Sequence, residues 1–154
     1  ALTEAKVLVE DKLFATLDTT SRKYTLPNRQ EVILIDTVGF IRKIPHTLVA
    51  AFKSTLEEAV HTDILLHLID CSNPSAELQA EATLQVLKEL NGADRPIITV
   101  LNKIDADESE ENIRQFHKEF PMDPSRVFEM SALIGEGVKP LEKALFKELA
   151  VSSL

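Results

Sequence analysis

Three short stretches carry residue types that could do chemistry together, and each follows an apolar run. Asn102-Lys103-Ile104-Asp105 comes directly after Ile97-Ile98-Thr99-Val100-Leu101. An aspartate presented edge-on accepts two hydrogen bonds from the N1–H and 2-amino group of guanine. Adenine lacks that donor pair, so one carboxylate supplies base selectivity. The asparagine can tie neighbouring loops together, and the lysine stem can lie along the base. Asp36-Thr37-Val38-Gly39 comes after Val32-Ile33-Leu34-Ile35. A carboxylate there can hold the water shell of a Mg²⁺ ion, and a glycine three residues later lets its backbone N–H approach a terminal phosphate unobstructed. Ser131-Ala132-Leu133 follows residues 127–130, and its small residues allow the Ala132 N–H to reach the guanine oxygen. Alone, the first and last of these in chain order read as turns. In this order, at the strand ends where open parallel sheets bind ligands, they describe a guanine-nucleotide site.

The elements that must position them alternate between short apolar runs and amphipathic stretches, the α/β pattern of a parallel sheet covered by helices. Residues 32–35, 64–69 and 97–101 are nearly continuous in apolar side chains, which predicts strands buried on both faces. Residues 127–130 make a shorter strand, and residues 22–26 an edge strand joined to the next by a turn at Pro27-Asn28. Leu48, Phe52, Leu56 and Val60 recur every four residues and predict a helix over 46–60. A helix over 76–90 turns Leu84, Leu87 and Leu90 inward, with Pro74 suited to its first turn. Asp107 and Glu110 have the spacing of a capping box ahead of Ile113, Phe116, His117 and Phe120. Leu141, Ala144, Leu145 and Leu149 define the last helix. No repeat, low-complexity linker or second domain interrupts residues 1–154, which read as one domain long enough to bury a core.

Composition narrows the function classes. A net charge of −8 leaves no whole-domain positive field for nucleic acid, so contact with DNA is not expected and contact with RNA needs a local patch. Cys71 stands alone, which excludes an intrachain disulfide or a thiolate cluster. No apolar run approaches the ~20 residues of a membrane span, and the first residues lack a signal peptide's layout; a cytoplasmic protein is expected. His67 reads as a hydrogen-bonded core histidine and Cys71 as a small residue at a strand end. His46 reads as packed on the surface, Arg42 and Lys43 as a solvated face, and Glu108, Glu110 and Glu111 suit a helix N-terminus.

Leu13-Phe14-Ala15-Thr16-Leu17-Asp18, then DTVGFIRKIPH from Asp36 to His46, then FKSTLEE from Phe52 to Glu58 resemble the HflX family of ribosome-associated GTPases, and the likeness runs essentially from end to end. The resemblance implies a P-loop NTPase-like GTPase domain with a mostly parallel sheet flanked by helices. It implies GTP and GDP as ligands, Mg²⁺ as cofactor, and GTP hydrolysis coupled to the large ribosomal subunit in ribosome rescue or biogenesis. A monomer is expected. By the same resemblance Thr16 gives its hydroxyl to Mg²⁺ and its N–H to the γ-phosphate, while Phe14, Ala15, Leu17 and Asp18 line the nucleotide. Asp36, Thr37, Val38 and Gly39 open the second switch, with Asp36 reaching the metal through water. Asn102, Lys103, Ile104, Asp105, Ser131, Ala132 and Leu133 complete the nucleotide contacts. Thr19 stands where the family often has proline. Phe40 stands where many relatives carry a glutamine that orients the attacking water; a phenyl ring cannot do that, so no catalytic residue is assigned and slow intrinsic turnover is expected.

The sequence also departs from the family by an absence. It contains no G-x-x-x-x-G-K-[ST] loop and only four glycines: Gly39, Gly92, Gly135 and Gly137. In this fold that loop cradles the phosphates. The family places it just before the position of Ala1, after a strand central to the sheet, between those at 32–35 and 64–69. The first strand and phosphate loop are thus missing, and an N-terminally incomplete G domain over 1–154 is expected. The gap should stand empty, be filled by another chain, or close by direct pairing of its two neighbours. The alternative reading is a degenerate, non-catalytic G domain acting as a binding module. An ATPase of related fold is opposed by the N-K-x-D stretch.

Overall fold

The most apolar run is also the most deeply buried. Ile97–Asn102 form strand β4, within which Ile98, Thr99, Val100 and Leu101 are almost wholly shielded from solvent. The computed structural model that shows this describes residues 20–36, 61–89, 94–120 and 122–152. On one side β4 pairs in parallel with β3 (Leu65–Asp70), from Leu65 opposite Ile97 to Asp70 opposite Asn102. On its other side it pairs in parallel with β5 (Val127–Glu129), from Thr99 opposite Val127 to Leu101 opposite Glu129. A parallel central strand needs apolar cover on both faces, and two clusters provide it. Ile69, Cys71 and Leu101 meet Ala76 and Ala80 of helix α1 (Ala76–Glu89) and Phe116 of helix α2 (Ser109–Glu119). On the opposite face Ile98, Val100 and Met130 meet Leu141 and Leu145 of helix α3 (Val138–Ser152). The alternation of strand and helix expected from the sequence is therefore the order observed.

Local chemistry sets the helix starts. The Asn73 side chain accepts the Ser75 N–H at 2.9 Å, with Pro74 in the turn between them, where its fixed φ suits a helix about to begin. The capping box expected at Asp107 and Glu110 is not formed. Glu108 is the N-cap of α2, with φ −85° and ψ −4° and no side-chain cap bond. A side-chain cap needs an extended backbone at that position, but the chain is already turning: Ala106 N–H donates to the Lys103 carbonyl and Ser109 N–H to that of Ala106, both at 3.0 Å. The Ser109 hydroxyl instead donates to the Ile104 carbonyl at 2.8 Å. The helix expected over 46–60 lies outside the described residues.

β1 (Thr20–Thr25) and β2 (Glu31–Asp36) form a separate antiparallel sheet, with Thr20 opposite Asp36 and Thr25 opposite Glu31. Its turn lies where Pro27-Asn28 predicted it, closed by Arg29 N–H to the Leu26 carbonyl and Leu26 N–H to that of Gln30. The Tyr24 pKa is raised by burial first and then by the nearby Glu142 carboxylate of α3. Among the described residues β2 and β3 do not pair, so direct closure of the expected gap is not formed. Burial on both faces also fails for these two strands: Ile33 is 64% and Leu68 62% exposed. Among the described residues, each has only one strand beside it.

Candidate functional site

The C-terminal ends of β3, β4 and β5 bring the two described candidate stretches together. Asn102 is the last residue of β4, and Lys103 turns the chain off the sheet with φ +68°. That left-handed conformation costs an L-residue roughly 1–2 kcal/mol, so the loop needs ties. Ile104 N–H donates to the Met130 carbonyl at 3.3 Å, and Asn102 Oδ1 accepts the Ala132 N–H at 3.0 Å. The Ser131 hydroxyl, fully buried, donates to Asp105 Oδ1 at 2.5 Å. Asp105 is itself exposed, so a buried hydroxyl anchors a carboxylate open to solvent. A carboxylate oxygen bonded once still has acceptor capacity, and its second oxygen adds more.

The loop that carries Ser131 closes on itself. Ser131 N–H donates to the Glu136 carbonyl and Gly135 N–H to the Ser131 carbonyl, both at 2.9 Å, while Ile134 N–H reaches the Ser131 hydroxyl at 3.3 Å. Gly137 makes the close possible: with φ +78°, a Cβ there would sit 2.2 Å from the Glu129 carbonyl oxygen. Leu133 is 84% exposed beside Ala132. The Ala132 N–H, expected to reach a guanine oxygen, is given to Asn102 here, so base contact would require sharing or exchanging that bond. β2 ends at Asp36, whose side chain is not described. Phe14, Ala15, Thr16, Leu17, Asp18, Thr37, Val38, Gly39 and Phe40 lie outside the described residues, as do Arg42, Lys43 and His46.

Residues 1–103 match the family described as 50S ribosome-binding GTPase. The chain belongs to that family. Within it the sequence is of the HflX type: over 140 residues it is 49% identical to GTPase HflX of Lacrimispora saccharolytica, covering 91% of this chain and 32% of the relative. The chain spans between about a fifth and a third of the length of the curated relatives it matches. In structure it is similar to SsGBP in its GDP complex, with TM-score 0.72 and 29% identity over 87% of this chain and 43% of that one. It is also similar to Era in complex with MgGDPNP and nucleotides 1506–1542 of 16S ribosomal RNA, with TM-score 0.68 and 26% identity over 91% of this chain and 47% of that one. The expected GTPase fold, a parallel sheet flanked by helices, is the fold of this family member.

Sequence reasoning missed the side chains at the end of β3. Asp70 Oδ2 lies 2.9 Å from the Lys103 ammonium, and Asp70 Oδ1 accepts both the Ser72 N–H at 2.9 Å and its hydroxyl at 2.6 Å. Partial burial pushes the Asp70 carboxyl up, but the bonds from Ser72 and Lys103 together outweigh it and hold it below its ordinary value. Asn112 of α2 donates to the Cys71 carbonyl at 2.8 Å. The available signal was an aspartate closing the apolar run next to the one that carries N-K-x-D. His67 corrects a second expectation: it is buried, but Nδ1 has no hydrogen-bond partner among the described residues. Thr99, opposite it in β4, gives its hydroxyl to Met122 Sδ instead. Among the described residues no group of His, Cys, Asp and Glu could hold a metal ion by itself.

Proposed function

We propose that these strand-end loops hold the guanine base of GTP and GDP, and that the full-length protein hydrolyses GTP in association with the large ribosomal subunit. The observation that carries this reading is the Asp105 carboxylate, exposed yet anchored by the buried Ser131 hydroxyl. Its two oxygens match the N1–H and 2-amino donors of guanine, and their fixed orientation spares the cost of ordering a mobile carboxylate. Asn102 clasps the Ser131-Ala132-Leu133 loop against the Asn102-Lys103-Ile104-Asp105 loop, so the two halves of the base site move as one unit. Phe14, Ala15, Leu17, Asp18, Thr37, Val38 and Gly39 complete the nucleotide contacts. SsGBP carries GDP, and the Era structure holds both a guanine nucleotide and ribosomal RNA; both likenesses support the reading.

Mg²⁺ would be held by Thr16 and, through water, by Asp36. A hydroxyl and a carboxylate are hard oxygen donors of the kind Mg²⁺ prefers, and Asp36 ends its strand as Asn102 ends β4. When bound, the ion would neutralise charge on the phosphates. Phe40 supplies no hydrogen-bonding group, so water must be oriented from elsewhere, and turnover should be slow until the ribosome is present. The protein is proposed to be cytoplasmic and monomeric, with neither DNA nor a membrane as partner; among the described residues no helix is long and apolar enough to cross one. Turnover of GTP and ATP by the full-length protein, with and without purified 50S subunits, tests the proposal. It expects hydrolysis of GTP, stimulated by 50S subunits, and little of ATP. Binding of 50S subunits with no GTP turnover would instead support the non-catalytic binding module.

A further inference from the structure

We propose that Asp70 is a positioning residue of the guanine site, acting through Lys103; this rests on the base-binding reading above and deepens it. Lys103 stands between the residues that clasp the two loops, Asn102 and Asp105, and its backbone is fixed at φ +68°. Its ammonium is held by Asp70 Oδ2 at 2.9 Å, in a pair whose side chains are 53% and 40% exposed. An ordinary surface ion pair joins two mobile side chains and organises little. Here the acidic partner is held independently of the lysine. Its other oxygen is locked by the Ser72 N–H and hydroxyl, and the parallel register sets Asp70 directly opposite Asn102.

The backbone just beyond is locked as well. Cys71 N–H donates to the Asn102 carbonyl at 3.0 Å, and the Asn112 side chain holds the Cys71 carbonyl. The end of β3 therefore presents a rigid carboxylate to the N-K-x-D loop. With both ends held, the four-carbon stem of Lys103 is kept as a ledge along which a base can lie. Binding then does not have to freeze that stem, which is how preorganisation raises affinity. Asp70 itself makes no contact with the base in this arrangement; its effect passes wholly through the lysine.

The test is calorimetry of GDP and xanthosine diphosphate binding to the full-length protein and to Asp70→Asn, Lys103→Met and the double variant. Asp70→Asn should weaken GDP about 3- to 10-fold, the range for immobilising one rotamer-rich side chain. It should leave the preference for GDP over xanthosine diphosphate unchanged, because that preference belongs to Asp105. In the Lys103→Met background, Asp70→Asn should add nothing. Unchanged GDP affinity in Asp70→Asn overturns the inference, and so do effects of the two substitutions that multiply, since Asp70 would then act on the fold and not through Lys103. Failure of the unsubstituted protein to bind GDP would instead bring down the guanine reading itself, and this inference with it.

Discussion

Burial lowers the His67 pKa from 6.5 to about 4. Above pH 6.5 the ring is neutral in the folded and unfolded chain alike, so pH leaves stability unchanged through this group. Between pH 6.5 and 4 the unfolded chain takes a proton that the folded chain refuses, and stability falls with pH. At about 1.4 kcal/mol per pH unit the total loss is about 3 kcal/mol. Urea unfolding of the full-length protein at pH 7 and pH 4.5 should show most of it. His67→Leu should make the two curves converge, and an equal loss in that variant would assign the slope to other groups. Cys71 answers to the same physics with opposite sign: burial, then the charges of Asp70 and Glu129, push its thiol up to about 12. Iodoacetamide at pH 8 should therefore modify Cys71 only after unfolding; rapid alkylation of the native protein would contradict its burial. At this scale the sequence pointed to candidate residues that stand side by side in the chain, Asn102 to Asp105. It did not show Asp70, 33 positions away from Lys103, because only the strand register brings the two together.

The loops at the strand ends work as elements because glycine permits their closure. Gly137→Ala would put a Cβ 2.2 Å from a backbone oxygen at a left-handed position, whereas at Gly135 nothing lies within 4 Å. Gly135→Ala should cost only the conformational penalty, roughly 1–2 kcal/mol. Gly137→Ala should cost clearly more in urea unfolding and should also weaken GDP binding, since displacing Glu129 disturbs the adjoining loop that holds Ser131 and hence Asp105. Equal stability of the two variants would show that the loop yields without cost. Helix and strand order was legible because a 3.6-residue period and short apolar runs are properties of sequence alone. The cap of α2 was not: Asp107 and Glu110 have the right spacing, but the turns beginning at Lys103 had already fixed the backbone. Burial of β2 and β3 was misread because apolar content states what a strand could bury, while its neighbours decide what it does bury.

For the whole molecule, charge and phosphate recognition set the limits. A domain of net charge −8 gains nothing from long-range attraction to RNA, so the docking on the large subunit proposed above would have to use a local basic patch or other parts of the full-length protein. These 154 residues contain no phosphate-cradling loop. Measured on them alone, GDP affinity should be weaker than micromolar, because base hydrogen bonds of ~0.5–1.5 kcal/mol each, more when charged, do not replace the cradle. A micromolar or tighter dissociation constant would show that other residues of the chain hold the phosphates. The family fold was legible from the alternation of elements together with the DTVGFIRK stretch. That β2 and β3 do not pair among the described residues was not legible in either strand, because pairing is a property of topology and not of any residue in the strands themselves.

The proposed base site is tested most directly by Asp105→Asn in the full-length protein, with GDP and xanthosine diphosphate titrated in the calorimeter. Asparagine offers one acceptor and one donor where aspartate offers two acceptors, a pattern suited to the 2-oxo group of xanthine. GDP affinity should fall on the order of 100-fold, because one charge-assisted bond is lost and the asparagine NH₂ now faces a guanine donor, and xanthosine diphosphate should become the preferred ligand. Unchanged GDP affinity in Asp105→Asn would contradict the assignment of Asp105 to the base.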